Sequence, residues 1–130
     1  MSAPVIALID DDEVFQLTSS RMLRAINPDV TVKQFANGGV ALSFFAEQAE
    51  NAEELPDIIL LDINMPYVDG WMFLQDFEKI RESLVKIPTI FMVSSSIDPT
   101  DISKAKSNEQ VLDYLIKPIS KDKFEVLINQ

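Results

Sequence analysis

Four apolar residues, Ile58-Ile59-Leu60-Leu61, run without interruption into Asp62. A run this short and this unbroken, bounded by breakers, is the signature of a strand buried on both faces. Asn64 follows two positions after Asp62. Then comes Pro66, which halts continuation, and Pro66-Tyr67-Val68-Asp69-Gly70 has the composition of a turn. A strand covered above and below needs a layer on each side. Asp62 therefore stands at the carboxyl end of a central strand, where open α/β sheets bind their ligands.

The rest of the chain alternates in the same way. Val5 to Ile9 is a second fully apolar run, ending in Asp10-Asp11-Asp12-Glu13. A helix is expected from Glu13 to Ile26, with Phe15, Thr18, Met22, Leu23 and Ile26 inward and Asn27-Pro28 as its stop. Val30 to Phe35 alternates apolar and polar residues, as an edge strand does. Asn37-Gly38-Gly39 reads as a turn and Val40 to Ala49 as a helix. An acidic connector then leads to the strand Asp57–Leu61. Trp71 to Glu82 is expected to be helical, with Met72, Phe73, Phe77 and Ile80 inward. Pro88 to Val93 is a strand ending in three serines. Asp98 caps a short polar helix, Pro99 to Ser107. Val111 to Ile116 is the last strand, and Ser120 caps a final helix to Ile128. Five strand–helix units with apolar central strands imply one α/β domain, residues 1–130, with a doubly wound five-stranded parallel sheet and helices on both faces.

Composition removes several functions. The formal charge of −10 argues against nucleic-acid binding, which needs a basic face. The chain has no Cys and no His, so it lacks thiol chemistry, histidine bases and a phosphohistidine of its own. The absence of Cys favours the cytoplasm. No apolar run approaches the roughly 20 residues of a membrane span.

Parallel strands present their carboxyl ends along one edge. There the first strand delivers Asp10, Asp11 and Asp12. The third delivers Asp62 with Asn64 beyond it, the fourth Ser94, and the fifth Lys117. Carboxylates so crowded repel unless a positive charge joins them. Lys117 supplies one charge. A hard divalent cation supplies the rest, and Mg²⁺ suits a site of one or two carboxylates. A carboxylate beside Mg²⁺, with a lysine and a hydroxyl aimed at the same space, suits acceptance of a phosphoryl group. Asp62 is then the nucleophile and forms an acyl phosphate.

With these residues in place, the sequence resembles the receiver domain of a two-component response regulator, of the chemotaxis-regulator type. The matching pieces are Ile9-Asp10-Asp11-Asp12, Leu60 to Pro66, Asp69-Gly70, Met92-Val93-Ser94-Ser95 and Tyr114-Leu115-Ile116-Lys117-Pro118, in this order from Val5 to Ile128. The resemblance implies a flavodoxin-like sheet of order 2-1-3-4-5. It implies Asp62 as the phosphorylated residue, Asp11 as a direct Mg²⁺ ligand, Asp10 as a ligand through water, and the Asn64 carbonyl as a further ligand. Ser94 is expected to bond the phosphoryl group and Lys117 to pair with one of its oxygens. Tyr114 matches the aromatic that moves inward with Ser94. The Lys117-Pro118 bond is expected to be cis. Asp12 is expected to be a solvated turn acid, and Trp71 to pack its helix.

The function so implied is that of a stand-alone, non-enzymatic signalling domain that assists its own phosphorylation and dephosphorylation. Its phosphodonor is a histidine kinase or histidine phosphotransfer protein, and its output is a downstream protein target. No nucleic acid or membrane partner is expected, and the chain acts as a monomer or an activation-dependent dimer. Three rivals are weaker. An aspartate-nucleophile phosphatase places a second acid two residues after the nucleophile, where this chain has Asn64. A non-phosphorylated module on the same scaffold loses the acid pair or the lysine. Three contiguous Asp lack the alternating spacing of a helix–loop–helix calcium site. Two departures bear on the output face: the short polar helix after Ser96, and Ser107-Asn108-Glu109-Gln110, which lacks a glycine. Asn108 is expected to take a left-handed turn conformation in its place.

Overall fold

A computed structural model of the chain describes residues 3–65 and 67–129. Pro66, expected to stop the third strand's continuation, lies outside the described residues. The order of elements is β1 (Val5–Ile9), α1 (Glu13–Ile26), β2 (Thr31–Phe35), α2 (Gly38–Glu47), β3 (Ile58–Asp62), α3 (Gly70–Arg81), β4 (Thr89–Ser94), α4 (Pro99–Lys106), β5 (Val111–Ile116) and α5 (Lys121–Ile128). The strands form one parallel sheet ordered β2-β1-β3-β4-β5. β3 is the central strand, and Asp62 is its last residue. The expected fold is the one observed.

Alternation along the strands sends side chains to two faces. On one, Ile9, Ile59, Leu61 and Met92 meet Ala41 and Phe45 of α2, Phe73 and Phe77 of α3, and Ala105 of α4. On the other, Ile6, Leu8, Leu60, Phe91 and Val93 meet Phe15 and Leu23 of α1 and Phe124 and Leu127 of α5. Phe35, Phe44, Phe45, Phe73 and Phe77 form one aromatic cluster, with neighbouring ring centroids between 5.5 Å and 6.5 Å. These two cores cover both faces of the sheet.

The structure corrects several expectations. α2 begins at Gly38 rather than Val40, because Asn37 caps it by accepting from the Val40 N–H at 2.9 Å. On α3, Met72 faces outward and Leu74 is buried in its place. On α1, Thr18 faces solvent and its hydroxyl donates to the Val14 carbonyl at 2.9 Å, while Gln16, Ser19 and Ser20 are buried. Asn108 is not left-handed; Tyr67, with φ of 67°, is the one non-glycine residue so placed among the described residues. The Asn108 side chain instead turns the chain by accepting from the Gln110 N–H at 2.9 Å.

Candidate functional site

The acids converge where β1 and β3 end side by side. Ile9 pairs with Leu61, so Asp10 and Asp62 leave the sheet as neighbours. One carboxylate oxygen from each of Asp10, Asp11 and Asp62 lies within 4.8 Å of the other two. Asp10 and Asp62 are buried, and Asp11 is exposed. Asp12, expected to be a solvated turn acid, is exposed and also has a structural task. It caps α1 by accepting from the Val14 N–H at 3.0 Å and the Phe15 N–H at 3.1 Å.

Lys117, one residue past β5, reaches across to this group. Its Nζ lies 2.8 Å from Asp10 Oδ2 and 3.8 Å from Asp62 Oδ1. Its Nζ also lies over the Phe15 ring, 4.5 Å from the centroid. The peptide bond to Pro118 is cis, as expected. Asn64 is exposed, and its N–H donates to Asp62 Oδ1 at 3.3 Å. Burial, and then the charge of Asp10, push the Asp62 carboxyl from 3.8 up to about 7, against the opposing pull of Lys117 and the Asn64 N–H.

Ser94 ends β4 and is buried beside the same edge. Its hydroxyl oxygen accepts from the Ser96 N–H at 3.0 Å. Tyr114 of β5 is buried, and its hydroxyl donates to the Ser96 carbonyl at 2.7 Å. Ser96 thus links the two residues that the sequence singled out as a pair. Trp71, expected to pack its helix, is partly buried against the core beneath α2, α3 and α4.

A divalent cation fits this donor set. The available donors are hard oxygens from three carboxylates, and one ammonium cannot neutralise all three. Asp10 Oδ2 is buried and has no directed hydrogen bond among the described residues. The Lys117 contact at 2.8 Å is an ion pair outside hydrogen-bond geometry. That oxygen retains lone pairs for a further positive group. On the β2 side, a cleft of about 350 Å³ opens beside Asp10 and Asp11, walled by Glu13, Gln16, Gln34 and Phe35. Sequence reasoning missed Gln16 and Ser96. Gln16 left one faint signal: with Ser19, Ser20 and Leu23 it recurs at three- and four-residue spacing along α1.

Comparisons with known proteins agree with one another. Residues 6–129 match the family model for the response regulator receiver domain. A probable methanogenesis regulatory protein, FilR2 of Methanothrix harundinacea, is 29% identical over 89% of this chain and 73% of its own length. The DNA-binding transcriptional regulator NtrC of Salmonella typhimurium is 27% identical over 100% of this chain and 25% of its own. This chain therefore spans only a fraction of some curated relatives. Among solved structures, a two-component response regulator from Cytophaga hutchinsonii is 26% identical, with a TM-score of 0.83 over 99% of this chain and 96% of that one. Vibrio cholerae chemotaxis protein CheY4, at 24% identity and a TM-score of 0.74 over 99% of this chain and 98% of that one, shares the fold.

Proposed function

The chain belongs to the response regulator receiver family, and we propose on that premise that it carries a phosphoryl group on Asp62, received from a phosphohistidine. Receiver domains are phosphoacceptor signalling domains of two-component systems. The donor is a histidine kinase or a histidine phosphotransfer protein, since this chain contains no His. The observation that carries this reading is the meeting of Asp10, Asp11, Asp62 and Lys117 at one sheet edge.

In the transfer, an Asp62 carboxylate oxygen bonds to phosphorus as the bond from phosphorus to the imidazole nitrogen breaks. The electron pair leaves on that nitrogen. Asp10, Asp11 and Asp62, with the Asn64 carbonyl, would hold Mg²⁺, which would neutralise charge on the transferred oxygens. Lys117 Nζ, already 3.8 Å from Asp62, pairs with a phosphoryl oxygen. The Ser94 hydroxyl donates to another. Return to the resting state is hydrolysis: a water oxygen attacks phosphorus, the bond to Asp62 breaks, and inorganic phosphate leaves.

Output follows from the link between Ser94, Ser96 and Tyr114. A phosphoryl group that engages Ser94 biases the Ser96 backbone and so the Tyr114 position. That shifts the population of the surface formed by α4, β5 and α5. The downstream partner is a protein that reads this surface. The charge of −10 disfavours nucleic acid as the partner. No helix of the described residues is long and apolar enough to cross a membrane.

Acetyl phosphate with and without Mg²⁺, followed by intact-mass measurement, tests the proposal. The expected result is one added phosphoryl group, dependent on Mg²⁺ and lost in Asp62→Asn. Stable labelling of Asp62→Asn, or none of the folded wild type, would overturn it.

A further inference from the structure

We infer that Gln16 is a positioning residue for the acid pair: its buried amide sets the backbone from which Asp10 and Asp11 project, and thereby the affinity for the divalent cation. The inference rests on the reading of Asp10, Asp11 and Asp62 as the Mg²⁺ site.

Gln16 lies in the first turn of α1 and is only 8% exposed. Its Nε2 donates to three backbone carbonyls, those of Leu8 at 3.0 Å, Asp10 at 3.1 Å and Phe35 at 3.1 Å. A primary amide has two N–H groups, so the three acceptors share them. The opposite amide orientation would set Oε1 against three carbonyl oxygens, so electrostatics fixes which end meets them; Oε1 is buried without a hydrogen bond among the described residues.

These carbonyls mark the place where β1 and β2 stop pairing. Their last rung is Ile9 with Phe35, and the Asp10 N–H still donates to the Phe35 carbonyl at 3.0 Å. Beyond that rung, the Asp10 carbonyl has no strand residue opposite it. The Gln16 amide fills the gap. Asp10 is then held at its N–H by Phe35, at its carbonyl by Gln16, and at Oδ1 by the Asp12 N–H at 2.9 Å.

Asp11 depends most on this arrangement. It is exposed, and its carboxylate makes no hydrogen bond among the described residues, so its direction is inherited from the Asp10–Asp11 peptide. Removing the amide leaves carbonyl dipoles crowded at one point, with no N–H from Gln16 to hold them. The peptide carrying Asp11 then loses its fixed orientation. Partners that orient metal ligands in this way typically change affinity by about 10- to 100-fold when removed.

A neighbour provides the control. Gln34 of β2 donates to the Ser20 hydroxyl at 2.5 Å and to the Gln16 carbonyl at 3.4 Å. It ties β2 to α1 and makes no hydrogen bond to Asp10 among the described residues.

Isothermal calorimetry with Mg²⁺ alone, and metal-free thermal melts, are measured on the wild type, Gln16→Met and Gln34→Leu. Both variants are expected to melt earlier. Only Gln16→Met is expected to weaken Mg²⁺ binding by about tenfold or more, with Gln34→Leu within about twofold of the wild type. A folded Gln16→Met that binds as tightly as the wild type overturns the inference, as does an equal loss in Gln34→Leu. If Gln16→Met does not fold, Gln16→Asn decides the matter: its amide is one methylene too short to span the carbonyls, and unchanged affinity overturns the inference. Absence of Mg²⁺ binding by the folded wild type overturns the site reading itself, and this inference with it.

Discussion

Gly70, the first residue of α3, stands so close to Asp62 that a Cβ on it would fall 2.7 Å from the Asp62 carbonyl oxygen. The same Cβ would lie 2.9 Å from Ile63 Cα. Both of these neighbours are backbone, so they cannot swing aside. The Gly70 N–H donates to the Ile63 carbonyl at 2.9 Å, and this bond draws the helix start against the end of β3. Asp69 caps α3 by accepting from the Met72 N–H at 2.9 Å. The Asp69-Gly70 pair thus locks a helix terminus onto the segment that carries Asp62.

Gly70→Ala should therefore destabilise the fold by about 1–3 kcal/mol, the usual range for forcing atoms into a packed site. It should also displace Asp62. The expected outcome is a lower denaturation midpoint in urea, with acetyl phosphate labelling reduced even where the variant is fully folded. Wild-type stability and labelling in Gly70→Ala would show that the helix start can yield.

Asp62 gives stability a pH dependence in metal-free protein. Its carboxyl is raised from 3.8 to about 7, chiefly by burial and then by Asp10. The folded state therefore holds this proton more tightly than the unfolded state does. Stability from this source is full below pH 4 and is lost as pH climbs toward 7 and past it. Asp62→Asn removes the buried charge. In chelator at pH 8 the variant should melt higher than the wild type, by about 3 °C or more, since one pKa unit corresponds to about 1.4 kcal/mol. Screening in a cleft open at Asp11 keeps the gain below the full value of the shift. The difference should shrink toward zero near pH 4. Melting curves of both proteins between pH 4 and 8 provide the check, and a gap that widened on acidification would contradict it.

What the sequence made legible follows from what each residue has to do locally. Ile58 to Leu61 are apolar because both faces of β3 are covered, and that is visible without coordinates. Pro99 behind Asp98, and Ser120 before α5, announce caps by their type alone. Asn37-Gly38-Gly39 misled because the same residues suit a turn or a helix start. Tertiary packing decides between them: Gly38 lies under Val68 and Phe73, where a Cβ would fall 3.1 Å from Val68 Cγ1. Met72 and Leu74 are both good apolar helix formers, so only the angle at which α3 meets the sheet determines which is buried. The acids and Lys117 could be placed along one edge because strand ends are predictable. Gln16 could not, because a polar helix residue becomes a buried donor only where two strands happen to stop pairing above it.

The least anchored helix of the sheet's cover is α4, and this makes the last prediction. Ala105 is its only fully buried residue, with Ile102 packed partly against the core. Its attachment to α3 includes Lys104, whose Nζ sits 4.3 Å from the centre of the Trp71 ring. A cation over an indole at an exposed site contributes about 0.5–1 kcal/mol. With so little buried apolar surface, α4 should open locally at low free energy. Amide hydrogen exchange in residues 99–106 should accordingly be faster than in α3, and Lys104→Met should accelerate it by about two- to fivefold, the factor that 0.5–1 kcal/mol represents. Trp71 is the only tryptophan in the chain, so its emission reports on this contact without labelling. Lys104→Met should shift that emission while leaving the global melting midpoint within about 2 °C. If α4 exchanged as slowly as α3, or if Trp71 emission ignored the substitution, the helix would be held by something other than this contact.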